Sequence, residues 1–518
     1  AGLNWTQNTE DPARGALMQR VTERGARLSQ ELVFLELELA AAPDDSAAAW
    51  LADPALARWQ HWLEVVRIFR PHLLSEPEEK LLTEKSVTGA AAWVRFFEET
   101  HGAARYELDG EQLSRDQVLS KLFDQDRDLR RRAAAAVTAG LAAMQRTNTY
   151  IFNTLLADKA SDDRLRSYPT WISGRNLGNQ VDDRTVAALI DAVTGRYDLV
   201  ARYYRLKRRL LGLEELFDYD RYAPLPAADR FYSWEQAQQI VLDAYGRFHP
   251  RMAEVAGWFF DGRWIDAPPR PGKMGGAFSH STVPSAHPYI LLNYEGKPRD
   301  VMTLAHELGH GVHQKLAGVQ GVLLADTPLT TAETASVFGE MLVFQSLMAQ
   351  ESDPAMRLGM LTGKIEDSFS TAFRQISMNR FEHAMHSARR EEGELTSERF
   401  NELWLATQRA MFGDSVTMSE DYGLWWSYVP HFLGTPGYVY AYAFGELLVL
   451  ALYARYQQEG GDFPERYLAM LTAGGSDWPH QIVKPLGVDL TDPGFWSNGL
   501  DILEGMVAEA EALANSLG

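Results

Sequence analysis

The 518-residue chain is 46% hydrophobic and 23% charged, which is enough apolar material for a large core and, at this length, for two lobes. Its formal net charge of -20 at pH 7 disfavours nucleic acids and anionic membranes as partners. The absence of cysteine excludes disulfides, thiolate metal ligands and a cysteine nucleophile.

The N-terminal segment and the most apolar stretch of the chain both predict a cytoplasmic protein. The chain opens AGLNWTQNTEDPARG, without the basic and then apolar order of a signal peptide. Its most apolar stretch, LLVLALYA at residues 447–454, is well short of the roughly 20 residues that span a bilayer. We therefore predict no membrane partner and a buried helix at residues 447–454.

The first two hundred residues are predicted to be helical. Apolar residues recur three and four apart in WLEVVRIF, and the run RRRAAAAVTAGLAAM is rich in the strongest helix former. Basic clusters at residues 130–132 and 207–209 have acidic flanks, which favours solvated helix faces over phosphate sites.

A short β region follows the proline- and glycine-rich loop at residues 267–273. GGAFSHS (residues 275–281) and YILLNY (residues 289–294) have strand character, and a turn at residues 295–297 closes the region. We predict that the first segment is an edge strand that pairs with an extended peptide, with contacts at Gly275, Gly276, Ala277 and Phe278.

The next segment, VMTLAHELGHGVHQ, contains an HExxH motif. On a helix, His306 and His310 lie one turn apart and can converge on one metal ion. Glu307 is offset by about 100° and is placed to act as a general base without being a ligand. His313 is on the same face, but three side chains along one straight helix surround a tetrahedral ion poorly, so we favour packing or substrate contact.

A third ligand is predicted downstream, because catalytic zinc normally takes three protein ligands. ADTPLTTAETASVFGEMLVFQSLM resembles a capped helix that presents Glu333 and Glu340 on one face. Buried acidic groups need a partner, so we assign Glu333 as the third ligand and Glu340 as an acceptor that orients a ligand histidine. The alternative is that both face solvent.

A further group of polar side chains lies in VPHFLGTPGYVYAYAFGE. Tyr438 and Tyr442 are one helical turn apart, Tyr440 points elsewhere, and His431 precedes them. In a metallopeptidase, such donors would hydrogen-bond the oxyanion that develops on the scissile carbonyl. The alternative is an aromatic-rich helix of the core.

Several blocks together resemble oligoendopeptidase F of the M3 family of zinc metallopeptidases. They are RPHLLSEPEEKLLTEKSVTG, NTLLADKASDDRLRSYPTW, YDRYAPLP, TVPSAHPYILLNYEGKPRDVMTLAHELGHGVHQ, TAETASVFGE and VPHFLGTPGYVYAYAFGELL. The resemblance implies a mainly α, two-lobed fold with a deep central channel and a small β-sheet near the HExxH helix. It also implies an N-terminal lobe at residues 1–185 and a catalytic domain at residues 186–518.

The resemblance implies roles for the same residues. It supports one Zn²⁺ per chain held by His306, His310 and Glu333, with Glu307 as general base. It also implies that His431, Tyr438 and Tyr442 stabilise the transition state. This chain departs from the family at Gly434 and Gly437, where bulkier side chains are expected, so one donor or substrate contact is predicted to be missing, moved or supplied by a neighbour.

Together these features predict a zinc-dependent oligoendopeptidase that hydrolyses internal bonds of short unstructured peptides. A dipeptidyl carboxypeptidase is the nearest alternative, and it needs a cationic group for the substrate's terminal carboxylate. Arg299 and Arg374 are candidates that the sequence does not locate. A different alternative is a non-catalytic, metal-containing peptide-binding protein.

Overall fold

The computed structural model describes residues 1–225 and 230–517, and it is 72% helical, which confirms the predicted mainly α class. In this described part of the chain, every helix is too short or too polar to cross a membrane.

The helices fall in two groups along the chain. Those that begin before residue 185 are α1 (Gly2–Thr6), α2 (Pro12–Ala41), α3 (Asp44–Ala52), α4 (Gln60–Ile68), α5 (Glu76–Ser86), α6 (Ala90–Ala103), α7 (Arg115–Ser120), α8 (Arg127–Leu165), α9 (Ser173–Gly178) and α10 (Asp183–Thr194). The later ones are α11 (Tyr197–Leu210), α12 (Trp234–Phe248), α13 (Pro250–Asp261), α14 (Pro298–Ala317), α15 (Leu329–Ala332), α16 (Thr334–Gln350), α17 (Pro354–Thr371), α18 (Phe373–Glu392), α19 (Ser397–Phe412), α20 (His431–Gly434), α21 (Tyr440–Glu459), α22 (Phe463–Ala473), α23 (Pro479–Val483) and α24 (Pro493–Leu517).

Two small sheets interrupt the helices. The first is the hairpin of β1 (Tyr106–Leu108) and β2 (Glu111–Leu113), and the second has the order β3-β5-β4, from β3 (Ile265–Asp266), β4 (Phe278–His280) and β5 (Tyr289–Leu291). β5 runs parallel to β3 and antiparallel to β4. β4 is therefore an edge strand beside α14, as predicted.

The edge strand is shorter than the sequence indicates. Only residues 278–280 pair with β5, so Gly275, Gly276 and Ala277 precede the strand. Gly276 has φ +79°, a left-handed conformation that a strand residue does not adopt. The local alternation of side chains in GGAFSHS did not reveal that bend.

Two apolar clusters give the molecule its two lobes. The larger surrounds α14, α16, α21 and α24 and includes Leu304, Phe338 and Leu447, and it confirms the buried helix predicted at residues 447–454. The smaller contains large aromatic side chains such as Phe152 and Trp426. It joins residues 97–156 to residues 378–439, so this core includes segments on both sides of the predicted division at residue 185.

The prediction that the two basic clusters are solvated is wrong at two positions. Arg130 is only 3% exposed, and its guanidinium donates to the buried carboxylate of Asp220 at 2.8 Å. Lys207 is fully buried and donates to Glu366 at 2.7 Å. Each buried cation has an acidic partner from a distant part of the chain, which lowers the cost of its burial.

Candidate metal centre and active site

α14 carries the two histidines of the HExxH motif toward one point. Pro298 opens the helix, and the carboxylate of Asp300 accepts the backbone N–H of Lys297 at 3.0 Å, which caps its first turn. His306 and His310 follow one turn apart, with ring centroids 4.9 Å from each other. The helical spacing therefore places both imidazoles on the same side of α14, as the sequence predicts.

Glu333 joins these histidines from another element. Its Oε2 lies 3.4 Å from His306 Nε2 and 3.4 Å from His310 Nε2. The three donor atoms all lie within 4.8 Å of one another, and among the described residues no other cluster of potential metal ligands is found. Two imidazoles and one carboxylate are the donor set that catalytic zinc takes in many hydrolases, so the residues present fit this ion.

The segment that carries Glu333 is not the single helix that the sequence predicts. α15 ends at Ala332 and α16 begins at Thr334, so Glu333 occupies the break between them. Ser336, in the first turn of α16, donates its hydroxyl to Glu333 Oε2 at 2.7 Å. The break lets the carboxylate turn toward α14, while α16 remains packed along it.

Two glycines make room for this arrangement. A Cβ atom added at Gly309 would lie 2.3 Å from the carbonyl oxygen of Ala335, so only glycine allows α14 and α16 to approach this closely. A Cβ atom at Gly445, on α21, would lie 2.9 Å from Cβ of Glu333. The position of Glu333 therefore depends on the close backbone contact of α14 with α16 and on the contact of its own side chain with Gly445 of α21.

Glu340 lies behind His306, as predicted. Its Oε2 is 3.4 Å from His306 Nδ1, which leaves Nε2 of that ring facing Glu333, and its Oε1 accepts a hydrogen bond from Lys364 Nζ at 2.7 Å. Burial opposes ionisation of Glu340, but the charge of Lys364 and the hydrogen bond with His306 lower its pKa to about 2. The group is thus an anion that can fix the orientation of a ligand ring.

Glu307 is buried beside the histidines without being one of the three clustered donors. It is 6% exposed, and its Oε2 has no hydrogen-bond partner among the described residues. Burial raises the pKa of Glu307, and the nearby imidazoles of His306 and His310 offset this rise in part. An unpaired carboxylate oxygen of raised pKa is suited to taking up and releasing a proton.

A cavity of about 470 Å³ opens beside these groups. It is lined by the edge-strand region, by α14 and by the segment that leads to Glu333, with the residues Ala277, Phe278, Ser279, His306, Glu307, His310, His313, Gln314, Ala325, Asp326, Thr327, Ala332 and Glu333. Gly275 and Gly276 are not among them. His313 lines the cavity but is not part of the donor cluster, and burial lowers its pKa to about 4.

His431, Tyr438 and Tyr442 form a second polar group. The Tyr442 hydroxyl is 3.5 Å from His431 Nε2, and the rings of Tyr438 and Tyr442 are 5.0 Å apart. Burial and the neighbouring Tyr438 raise the pKa of Tyr442, and the charge of Glu333 contributes to the same rise. Tyr440 points elsewhere, as predicted, because its hydroxyl accepts from Asn179 in the core at 2.8 Å.

Tyr438 is not on the helix that the sequence indicates, because α21 begins only at Tyr440.

Of the two arginines considered for a terminal carboxylate, Arg299 is exposed on the first turn of α14. Arg374 lies near His431, whose pKa is lowered by burial and by the positive charge of Arg374.

Gly434 and Gly437, after His431, differ in the space that surrounds them and in whether a larger residue would fit. A Cβ atom at Gly434 would meet only Val94, at 3.9 Å, so a larger side chain would fit there. Gly437 has φ +74°, and a Cβ atom there would lie 3.2 Å from Ile172. Gly437 is therefore required by the local backbone, whereas Gly434 leaves space that a bulkier residue could occupy.

Sequence reasoning missed Ser336, Lys364 and Glu382 around this site. The contact of Ser336 with Glu333 could have been predicted from the sequence, because side chains three positions apart on a helix can reach each other. Lys364 contacts Glu340 across 24 positions and Glu382 contacts Gly437 across 55, so no local pattern links them.

Comparisons with known proteins agree with this geometry. The model of peptidase family M3 matches residues 122–502, more than half of the chain, and that of oligopeptidase F matches residues 38–106. Oligopeptidase PepF of Bacillus subtilis is 28% identical over 95% of this chain and 73% of that protein. Group B oligopeptidase PepB of Streptococcus agalactiae is 27% identical over 99% of this chain and 86% of that protein.

Solved structures share the fold. A chain from Chlamydophila abortus has a TM-score of 0.91 and 24% identity over 99% of this chain and 87% of its own. Oligoendopeptidase-F from Enterococcus faecium has a TM-score of 0.76 and 24% identity over 99% of this chain and 89% of its own. These matches confirm the resemblance drawn from the sequence, and the chain therefore belongs to peptidase family M3 and is a metallopeptidase.

Proposed function

We propose that the protein is a zinc-dependent oligoendopeptidase that hydrolyses internal bonds of short, unstructured peptides. The observation that carries this proposal is the convergence of His306, His310 and Glu333 on one point at the wall of a cavity that also holds Glu307. The family supplies the peptidase activity, and the donor set supports zinc as the metal.

The three clustered side chains would hold one Zn²⁺ through His306 Nε2, His310 Nε2 and a Glu333 carboxylate oxygen. When bound, the ion supplies a Lewis acid that polarises the scissile carbonyl and makes a water molecule more acidic. The carboxylate of Glu340 holds the His306 ring with Nδ1 turned away from the ligand position.

Glu307 is the proposed general base. Its unpaired Oε2 takes a proton from the water that attacks the scissile carbonyl, and then delivers that proton to the leaving amine nitrogen. The raised pKa that burial gives this group makes the second transfer easier, because a carboxyl group of very low pKa would hold too little of the proton.

His431, Tyr438 and Tyr442 are the proposed donors to the carbonyl oxygen as it becomes negative. The raised pKa of Tyr442 keeps its hydroxyl protonated at physiological pH, so it can donate. Its place near both His431 and Glu333 is consistent with a carbonyl group lying between these elements.

The outer edge of β4 is the proposed substrate platform. An extended peptide can add to this edge through main-chain hydrogen bonds, which give affinity with little dependence on sequence. Ala277 and Phe278 line the metal cavity and are the nearest contacts. Gly275 and Gly276 lie farther out, and their part in binding stays a prediction for longer substrates.

Three further expectations stay predictions. They are the division of the chain at residue 185, a deep channel between the lobes, and action in the cytoplasm on oligopeptides with no nucleic-acid or membrane partner.

The test is hydrolysis of a quenched fluorescent peptide of about ten residues, with and without a chelator and with zinc added back. We expect cleavage at internal bonds that chelation abolishes and zinc restores. Serial release of C-terminal dipeptides from a longer peptide would instead favour the dipeptidyl carboxypeptidase, for which Arg374 near His431 is the better-placed cation. Bound zinc without hydrolysis of any peptide would favour the peptide-binding protein.

A further inference from the structure

The loop between α20 and α21 carries Tyr438 and is held from outside by two polar contacts. The carboxyl oxygen Oε1 of Glu382, on α18, accepts the backbone N–H of Gly437 at 2.8 Å. Arg175, in α9, donates its Nε–H to the carbonyl oxygen of Pro436 at 3.2 Å. Both contacts act on the two residues that directly precede Tyr438.

Glu382 is an unusual residue to find at this place. It is 0% exposed, and its second oxygen, Oε2, has no hydrogen-bond partner among the described residues. Burial raises the pKa of Glu382 to about 8, with the Gly437 amide and the charge of Arg175 opposing the rise. A carboxyl group buried in this way is costly to the fold, and its one observed hydrogen bond goes to the loop.

The loop bends at the residue that Glu382 contacts. Gly437 has φ +74°, in the left-handed region, and it has Ile172 and Arg175 within 3.4 Å of where a Cβ atom would be. The next side chain, Tyr438, lies with its ring centroid 5.0 Å from Tyr442 and 6.1 Å from His431. The direction of the bend therefore decides where the Tyr438 ring is placed.

We infer that Glu382 is a positioning residue for Tyr438: by fixing the Gly437 amide, it sets the direction in which the Tyr438 ring leaves the loop toward His431 and Tyr442. This inference rests on the proposed function, in which Tyr438 contacts the reacting carbonyl. Glu382 is fully buried and does not line the cavity, so we place its effect on the reaction through Tyr438.

The test is a double-mutant cycle with Glu382→Ala and Tyr438→Phe, measured as kcat and KM for a ten-residue quenched peptide. We expect Glu382→Ala to lower kcat by about 10- to 100-fold with KM changed little, as for a lost interaction of the transition state. In the Tyr438→Phe background it should lower kcat by no more than about 2-fold, because coupled residues are not additive.

Two companion variants separate positioning from loss of fold. Glu382→Gln retains an oxygen that can accept the Gly437 N–H, so it should restore most of kcat. His386→Ala removes another buried side chain of α18, one that stacks on Trp171, and should leave kcat close to wild type even where it lowers thermal stability. If Glu382→Ala does not fold, Glu382→Leu replaces it, because leucine fills a similar volume without an oxygen that can accept the Gly437 N–H.

¹⁹F NMR measures the environment of residue 438 independently of activity. With 3-fluorotyrosine at position 438, the ¹⁹F resonance should shift or broaden in Glu382→Ala and return toward wild type in Glu382→Gln. Additive effects on kcat, or an unchanged ¹⁹F resonance, would overturn the inference. A silent Tyr438→Phe variant with a shifted ¹⁹F resonance would overturn the catalytic role proposed for Tyr438 and leave its positioning by Glu382 intact.

Discussion

Glu307 differs from its acidic neighbours Glu333 and Glu340 in having a buried carboxylate oxygen without a hydrogen-bond partner among the described residues. Glu307→Gln keeps the size of the side chain and removes the proton acceptor. We expect kcat to fall by about 10²- to 10⁴-fold, the usual contribution of a general base, with zinc still bound at one per chain. Steady-state kinetics with metal analysis check this, and a variant that binds zinc and turns over normally would contradict the role.

Glu382 gives a second prediction at the residue scale, on stability. Because burial raises its pKa to about 8, the folded protein holds this proton more tightly than the unfolded chain does. The stabilisation that this tighter proton binding gives the folded state is full below about pH 4.5 and is lost as the pH rises toward about 8. Glu382→Gln removes this titration. The free energy of unfolding of wild type should therefore fall by about 3 kcal/mol relative to that of the variant between pH 4.5 and pH 7. Denaturant unfolding at both pH values measures the difference, and a pH-independent offset would show that Glu382 does not titrate there.

At the scale of elements, the site depends on how closely α14 and α16 pack. Gly309→Ala would place a methyl group 2.3 Å from a backbone oxygen of α16, so the helices must separate and Glu333 must move. We expect zinc affinity to fall by at least about 10-fold and the variant to be destabilised by about 1–3 kcal/mol, as for an overpacked core. Competition with a chromogenic zinc chelator and thermal unfolding measure both effects.

Gly257→Ala is the matched control for this substitution. Gly257 also lies inside a helix, α13, but a Cβ atom there would meet nothing within 4 Å. Alanine has the higher helix propensity, so this variant should be as stable as wild type or more stable by up to about 1 kcal/mol. Equal losses of zinc affinity in the two variants would show that close helix packing does not set the position of Glu333.

At the scale of the whole molecule, the N-terminal part of the chain contacts the end of the metal-site helix. The guanidinium of Arg58 donates to the carbonyl oxygens of Val319 and Gln320, each at 3.2 Å, directly after α14. The indole N–H of Trp478 donates to Glu64, on α4, at 3.0 Å. The segment around Arg58 and Glu64 thus lies against the part of the molecule that carries the site.

This contact leads to a prediction about substrate length. A long chain must lose more conformational freedom than a short one to enter the channel that we predict between the lobes. For one scissile sequence, we expect kcat/KM to fall by at least about 10-fold, or about 1.4 kcal/mol, when a peptide is lengthened from ten to forty residues. A length series analysed by mass spectrometry measures this, and equal rates across the series would contradict an enclosed site.

The sequence alone determined the features that depend on near neighbours in the chain. The pairing of His306 with His310 follows from helical periodicity, because hydrogen bonds within one turn fix it. The edge strand and the aromatic segment near His431 were likewise located from local composition. Their limits were not, because the left-handed Gly276 shortens the strand and Tyr438 precedes the helix that begins at Tyr440.

Only the tertiary structure decided what joins these segments into one site. Glu333 meets the histidines because α16 packs on α14 at Gly309, and Lys364 reaches Glu340 from a third helix. The contact of Glu382 with Gly437 spans 55 positions. Such contacts arise from the packing of whole helices, which depends on side chains from the entire chain and leaves no pattern within a short stretch of sequence.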